Sequence, residues 1–220
     1  MAFSQVSMTL AERAAERSVR EARARAEVEV RVFVEAGLEV LRRTGAQRLT
    51  VVEVLAEAQR STRAFYRHFE SKDELLLAIY EHDARASVGE LLAEVTAAPS
   101  ALDALTAWVD ATLRLAFDSR RARRTRVLAA EAKRLQGQYP EEFGAIASAQ
   151  LAPLVEALER GRADGTFPQA VPVRDAATVH AIVWALVEQQ LYGTGEMTID
   201  EARSQALRFC LPALGATTRR

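Results

Sequence analysis

The stretch that decides the fold is Thr50–Ile79, TVVEVLAEAQRSTRAFYRHFESKDELLLAI. It carries two capping signatures. Thr50 with Glu53 (TVVE) and Ser71 with Glu74 (SKDE) each place a hydroxyl three residues before a glutamate, ahead of an apolar run. The spacing predicts a short helix from Thr50 to about Ala58, a break at Gln59–Ser61, a second short helix over 62–68, and a long helix from Ser71 toward Ala97, closed by Pro99. Between the boxes stand Arg60, Arg63 and Arg67, interleaved with Tyr66 and His68.

That crowding contrasts with the chain as a whole. The 220 residues hold 29 basic and 30 acidic side chains, a formal net charge of -1. From Arg42 to Lys72, however, seven basic residues face three acidic ones, a local excess of +4. A positively charged, helix-rich segment on a near-neutral chain is the pattern of a local anion-binding surface. Leu38, Leu41, Val54, Leu55, Phe65 and Phe69 can close a small core beneath it. Two short helices joined by a tight break have helix-turn-helix proportions, which would put the second in a major groove. Arg63 and Arg67, four residues apart, share a face and carry forked donors suited to phosphate or guanine. Thr62 and Tyr66 can reach the backbone, and Lys72 sits at a helix start where a phosphate is favoured. Periodicity alone fits equally well a three-helix packing unit with solvated arginines.

Outward from this segment everything reads as helix. Ala, Glu, Arg and Leu dominate, and no useful strand alternation occurs. Upstream, Thr9 with Glu12 forms another box. ERAAERSVREARARAEVEV then reads as an exposed helix or fraying arm that runs into a packed helix near Val28, with Gly45 as its stop. Downstream, helices are expected over Ser100–Phe117, Arg121–Gln136, and Pro140 to about Arg160 with a kink or interruption at Pro153. A loop follows from Arg162 to Val173, then helices at Asp175–Tyr192 and from Thr198 through Leu211. The fold class is therefore all-α: a three-helix N-terminal domain at 27–85, preceded by an extension at 1–26, then a larger helical domain at 86–215 and a tail at 216–220.

Several classes of function receive no support. His68, His82 and His180 do not make a metal-ligand spacing, Cys210 stands alone, and no nucleophile elbow, phosphate loop or redox motif occurs. No cofactor or metal is expected, and the chain does not read as an enzyme. No signal peptide or membrane-spanning run is read, so cytoplasm is the default expectation.

The segments TVVEVLAEA (50–58), STRAFYRHF (61–69) and SKDELLLAI (71–79) resemble the DNA-binding domain of the tetracycline-repressor-like (TetR) family of bacterial regulators. The resemblance implies a homodimer whose two reading helices meet successive major grooves of a near-palindromic double-stranded operator. It implies phosphate contacts at Thr50, Tyr66 and Lys72, a reading helix with Thr62, Arg63 and Arg67 in or beside it, and His68 at its end beside a core Phe69. The sequence also departs from the family. Gln59 replaces the usual turn glycine, and Arg60 the apolar residue after it. Leu55 stands where alanine is frequent, and Arg63 where glycine is. Gln59 can take ordinary turn dihedrals if the turn needs no positive φ, and Arg60 and Arg63 can enlarge the phosphate contact surface.

For the larger domain the resemblance implies a small-molecule effector, a dimer through the last two helices, and repression as the regulatory sign. Activation by the same fold, or a non-catalytic protein-interaction module, are the alternatives. Candidate pocket residues are Trp108, Phe117, Tyr139, Phe143, His180, Trp184, Glu188 and Tyr192; core packing competes as an explanation, most strongly for Trp108 and Phe117. Candidate interface residues are Val179, Ile182, Val183, Leu186, Val187, Leu207 and Leu211. The arginine-rich SRRARRTR at 119–126 reads as solvated or paired with acids such as Asp118 and Glu131.

Overall fold

The structure is a computed structural model and describes residues 9–44, 49–193 and 197–216. All its regular elements are helices: α1 Leu10–Thr44, α2 Val51–Ala58, α3 Thr62–Phe65, α4 Lys72–Ala97, α5 Ala101–Phe117, α6 Ser119–Gln138, α7 Pro140–Ala163, α8 Pro172–Leu191 and α9 Ile199–Ala213. The chain divides into two compact units, and the division between them falls inside α4, between Ile79 and Tyr80.

The boxes at Thr9–Glu12, Thr50–Glu53 and Thr198–Glu201 form as the spacing predicts. At SKDE only half of the box forms. Ser71 Oγ accepts from Glu74 N–H at 3.2 Å, but the Glu74 carboxylate accepts from Glu70 N–H at 2.6 Å, one residue upstream of its expected donor. The box at Thr9 opens a 35-residue α1 whose first half is almost entirely exposed, so the extension and the packed helix are one element. Gly45, read as its stop, lies outside the described residues.

The first unit is organised by an aromatic trio. Phe33 stands edge-on to Phe65 at 5.5 Å and to Phe69 at 6.1 Å, and Phe65 and Phe69 lie 5.3 Å apart. Such pairings contribute about 0.5–1.5 kcal/mol each beyond burial. Val34, Val40, Leu41, Leu49, Val54, Leu75, Leu76 and Ile79 complete the core. Leu38 and Leu55, expected there, are only half-buried; Phe33 holds the centre instead.

The second unit is built around α5, which packs against α6, α7, α8 and α9. Leu105, Trp108, Val109 and Leu113 on α5 meet Leu154 and Leu158 of α7, Val179, Val183 and Val187 of α8, and Ala202, Ala206 and Cys210 of α9. The Trp108 indole N–H donates to the Gln150 carbonyl at 3.2 Å, so its burial leaves no donor unmet. Helix α7 passes through Pro153 without interruption, contrary to expectation. The proline is buried among core neighbours that stabilise the helix across the missing hydrogen bond. The expected loop is shorter than read, because Pro172 opens α8 at a position where an absent N–H is harmless. Within that loop Phe167 is fully buried against Gly161 and anchors the connection.

Candidate nucleic-acid interface and cavity

The turn between α2 and α3 is a Schellman closure. Arg60 N–H donates to Leu55 O at 3.1 Å and Gln59 N–H to Ala56 O at 3.4 Å. This closure requires a left-handed residue, and Gln59 supplies it with φ 51° and ψ 48°. The turn does need a positive φ, so Gln59 does not take ordinary turn dihedrals: the geometry that glycine serves is kept, and glutamine carries its strain. Ser61 caps α3 by accepting from Ala64 N–H at 3.2 Å.

Helix α3 is shorter than the 62–68 expected from sequence. It ends after Phe65, and His68 and Phe69 N–H both return to the Phe65 carbonyl in a closing turn. The segment is rigid nonetheless, because α1 holds its end. His68 Nε2 lies 2.6 Å from Glu29 Oε2, and Arg67 donates to the same oxygen at 3.4 Å. The His68 hydrogen bond, with Arg67 beside it, holds the Glu29 carboxyl below its usual pKa. The His68 side chain is 9% exposed and packs on Phe33. The His68 ring thus joins the segment after α3 to α1.

Thr62, Arg63, Tyr66 and Lys72 present exposed side chains, as does Arg67 beside its Glu29 contact. The Tyr66 ring rests edge-on against Phe65 at 5.2 Å, which leaves its hydroxyl end free to face a ligand. Arg60 folds back on the turn, donating to the Gln59 carbonyl at 3.2 Å. Thr50 is committed to its capping box, with the hydroxyl donating to Glu53 at 3.0 Å. Sequence reasoning missed two residues here. Glu29 is one; nothing local marks an acid 38 residues upstream as the partner of Arg67. Val52, an apolar side chain 74% exposed beside Thr50, is the other.

In the second unit a cavity of about 410 Å³ opens among α4, α6, α7 and α8. Phe143, His180, Trp184 and Glu188 line it, as the sequence suggested. A small crevice of about 40 Å³ shares His180 and Trp184 with it and reaches Trp108. Phe117, Tyr139 and Tyr192 line neither space. Phe117 packs on the core of α5, Tyr139 caps the α6–α7 joint, and Tyr192 is 53% exposed just beyond α8. Tyr80, Asp83, Lys133 and Gln150 are wall residues that sequence reasoning did not single out.

Tyr80, Phe143, His180 and Trp184 give the cavity wall its aromatic part. Tyr80 and Phe143 lie 4.8 Å apart, and burial pushes the Tyr80 phenol pKa up. His180 stacks on Trp184 at 6.0 Å and 12°, with Trp108 at its edge. Burial holds the His180 imidazole below its ordinary pKa, so it favours the neutral form. Trp184 Nε1 donates to Glu188 at 3.1 Å. The arginines of 119–126 brace the walls. Arg121 pairs with Glu90 at 2.7 Å, Arg124 with Asp83, and Arg126 donates to the Leu191 carbonyl at 2.7 Å. Asp118 instead caps α6, and Glu131 pairs with Arg134 at 3.0 Å.

Of the candidate interface residues, Val179, Val183, Leu186 and Val187 are buried in the chain's own core. Ile182, Leu207 and Leu211 are half-buried against the same core. The opposite face of α8 shows Ala177, Ala181 and Ala185, and α9 exposes Phe209.

A reading segment locked by a helix-turn-helix closure, with a separate helical unit containing a cavity, defines the class: a DNA-binding transcriptional regulator. Residues 33–79 match the family model for bacterial regulatory proteins of the tetR family. The match covers the helix-turn-helix of the first unit, within an all-helical chain. Its structure is similar to that of FadR from Bacillus subtilis in complex with stearoyl-CoA (15% identity, 83% of this chain and 97% of that one, TM-score 0.66). It is similar to the reduced form of Escherichia coli NemR (20%, 87% and 100%, 0.66). A transcriptional regulator from Saccharomonospora viridis in complex with choline is alike at 18% identity, with 82% and 94% covered and a TM-score of 0.67. At these identities the likeness is one of fold. No curated protein sequence matches the chain. Among the described residues no helix is long and apolar enough to cross a membrane, and no group of His, Cys, Asp and Glu could hold a metal ion.

Proposed function

We propose that the chain is a homodimeric, sequence-specific transcriptional repressor that leaves a near-palindromic operator when a small molecule enters the cavity of its second unit. The observation that carries the DNA reading is the α2–α3 closure with its exposed cationic edge. Thr62, Arg63 and Arg67 project from a segment whose other side is fixed by Phe65, Phe69 and the His68–Glu29 contact. Arg63 and Arg67 are the proposed base-reading or phosphate-gripping forks, with Tyr66 and Lys72 on phosphates. Arg60 and Thr50 serve the turn and the cap; their backbone positions, more than their side chains, face the duplex.

The cavity supports the effector half of the reading. It is lined mostly by apolar and aromatic groups with a few polar ends, which is the make-up of a small-ligand site. Proteins of similar fold hold stearoyl-CoA and choline. Release requires that ligand and DNA favour different conformations of the chain, so that each weakens the other by the same factor. Dimerisation is assigned to the outward faces of α8 and α9, at Ala181, Ala185 and Phe209.

Selection of duplexes from a random pool by the purified chain tests the DNA reading. Enrichment of an inverted repeat is expected, and Arg63→Ala with Arg67→Ala should abolish its binding while the helical circular-dichroism spectrum is kept. Undiminished binding by the folded double variant would overturn the residue assignment.

A further inference from the structure

The chemistry of the cavity narrows the kind of molecule it takes. Charged groups around it are mostly spent on one another: Asp83 pairs with Arg124, and in the adjoining crevice Glu90 pairs with Arg121 and Glu94 with Arg114. Two lining charges remain without an ion-pair partner among the described residues, Glu188 on α8 and Lys133 on α6. They differ in how they are held. Both are exposed, but Lys133 is an ammonium on a flexible stem with no hydrogen bond among the described residues. The Glu188 carboxylate is fixed by the indole N–H of Trp184 at 3.1 Å, which sets it at the edge of an aromatic wall. That wall consists of Trp184, the neutral His180 stacked on it, and the Tyr80–Phe143 pair. Aromatic faces attract cations and do not attract anions, and a carboxylate fixed beside them adds a full charge of the same preference.

We propose that the cavity binds an organic cation, with an ammonium-like head against Glu188 and Trp184 and an apolar or aromatic body among Tyr80, Phe143 and Ile146. A trimethylated or otherwise alkylated nitrogen suits the site because aromatic faces and one carboxylate can hold a cation that offers few hydrogen bonds. About 410 Å³ accommodates a body of ten to twenty heavy atoms at ordinary ligand packing. This assignment rests on the reading of the cavity as the effector site but makes its own, separable claim about charge.

The test is calorimetric titration of the full chain with two probes of similar size and opposite charge, benzyltrimethylammonium and 3-phenylpropionate. The cation is expected to bind about tenfold or more tightly than the anion. Glu188→Gln keeps an oxygen acceptor for the Trp184 indole and removes only the charge, so it isolates the electrostatic contribution. It should weaken the cation about tenfold and leave the anion unchanged or tightened, with the melting temperature preserved. Lys133→Met should not weaken the cation. Tighter binding of 3-phenylpropionate, cation binding indifferent to Glu188→Gln, or no binding of the cation by the folded chain would each overturn the proposal. Duplex selection on the ligand-free chain is scored separately. An operator recovered without cation binding sinks this inference alone; cation binding without any duplex preference sinks the regulatory reading and leaves the cavity assignment standing.

Discussion

Gln59 holds the α2–α3 turn in a left-handed conformation that costs an L-residue about 1–2 kcal/mol, of which glycine would return part as greater freedom of the unfolded chain. Gln59→Gly should therefore raise stability by about 0.5–1 kcal/mol, read as a higher denaturant midpoint at unchanged slope. A lower midpoint would mean that the glutamine side chain makes a compensating contact. His180 gives a prediction of the opposite kind. Its folded pKa is depressed by burial below the ordinary 6.5, so the unfolded chain takes up the proton first. The stability due to the neutral ring is complete above 6.5 and is lost as pH falls through that value toward the folded pKa. The melting temperature should drop over this range, and His180→Gln should flatten the drop. An identical pH profile in the variant would show that other groups cause it.

Among elements, the short ones were the most legible from sequence, because caps and turns are local chemistry. Thr50–Glu53, the Gln59–Ser61 break and the start of α4 follow from residues three or four apart. What sequence could not give was which face of each helix turns inward once several helices compete. The apolar stripe Val179–Val183–Val187 has the same periodicity whether it meets a second copy or α5; only packing shows that α5 takes it. The cavity walls contributed by Tyr80, Asp83 and Lys133 were invisible for the same reason. With that stripe buried, the dimer surface proposed above is Ala181, Ala185 and Phe209. Small residues let two backbones approach closely, and Phe209 at 57% exposure supplies the apolar anchor. Ala185→Arg should convert the protein to a monomer at micromolar concentration, measured by light scattering, with little change in helicity. At the α7 terminus, a Cβ on Gly161 would stand 2.2 Å from the Phe167 ring. Gly161→Ala should cost about 1–3 kcal/mol by overpacking, despite alanine's better helix propensity.

For the whole molecule, the distribution of charge matters more than its sum. A chain of net charge -1 gains no attraction to DNA from its overall charge, so its affinity must come from the cations concentrated on the reading edge. Each phosphate contact releases condensed counterions, giving a slope of about -0.9 in log affinity against log salt for every phosphate neutralised. Lys72, exposed at the start of α4, is assigned to one phosphate per reading head. In a dimer with both heads seated, Lys72→Ala should reduce the magnitude of the salt slope by about 2, and weaken binding to all duplexes by a similar factor. A change of about 1 would mean that one head engages at a time, which is incompatible with an inverted-repeat operator read by a two-fold symmetric protein. An unchanged slope would remove Lys72 from the interface and shift the phosphate grip to Arg60, whose side chain would then have to leave the Gln59 carbonyl on binding.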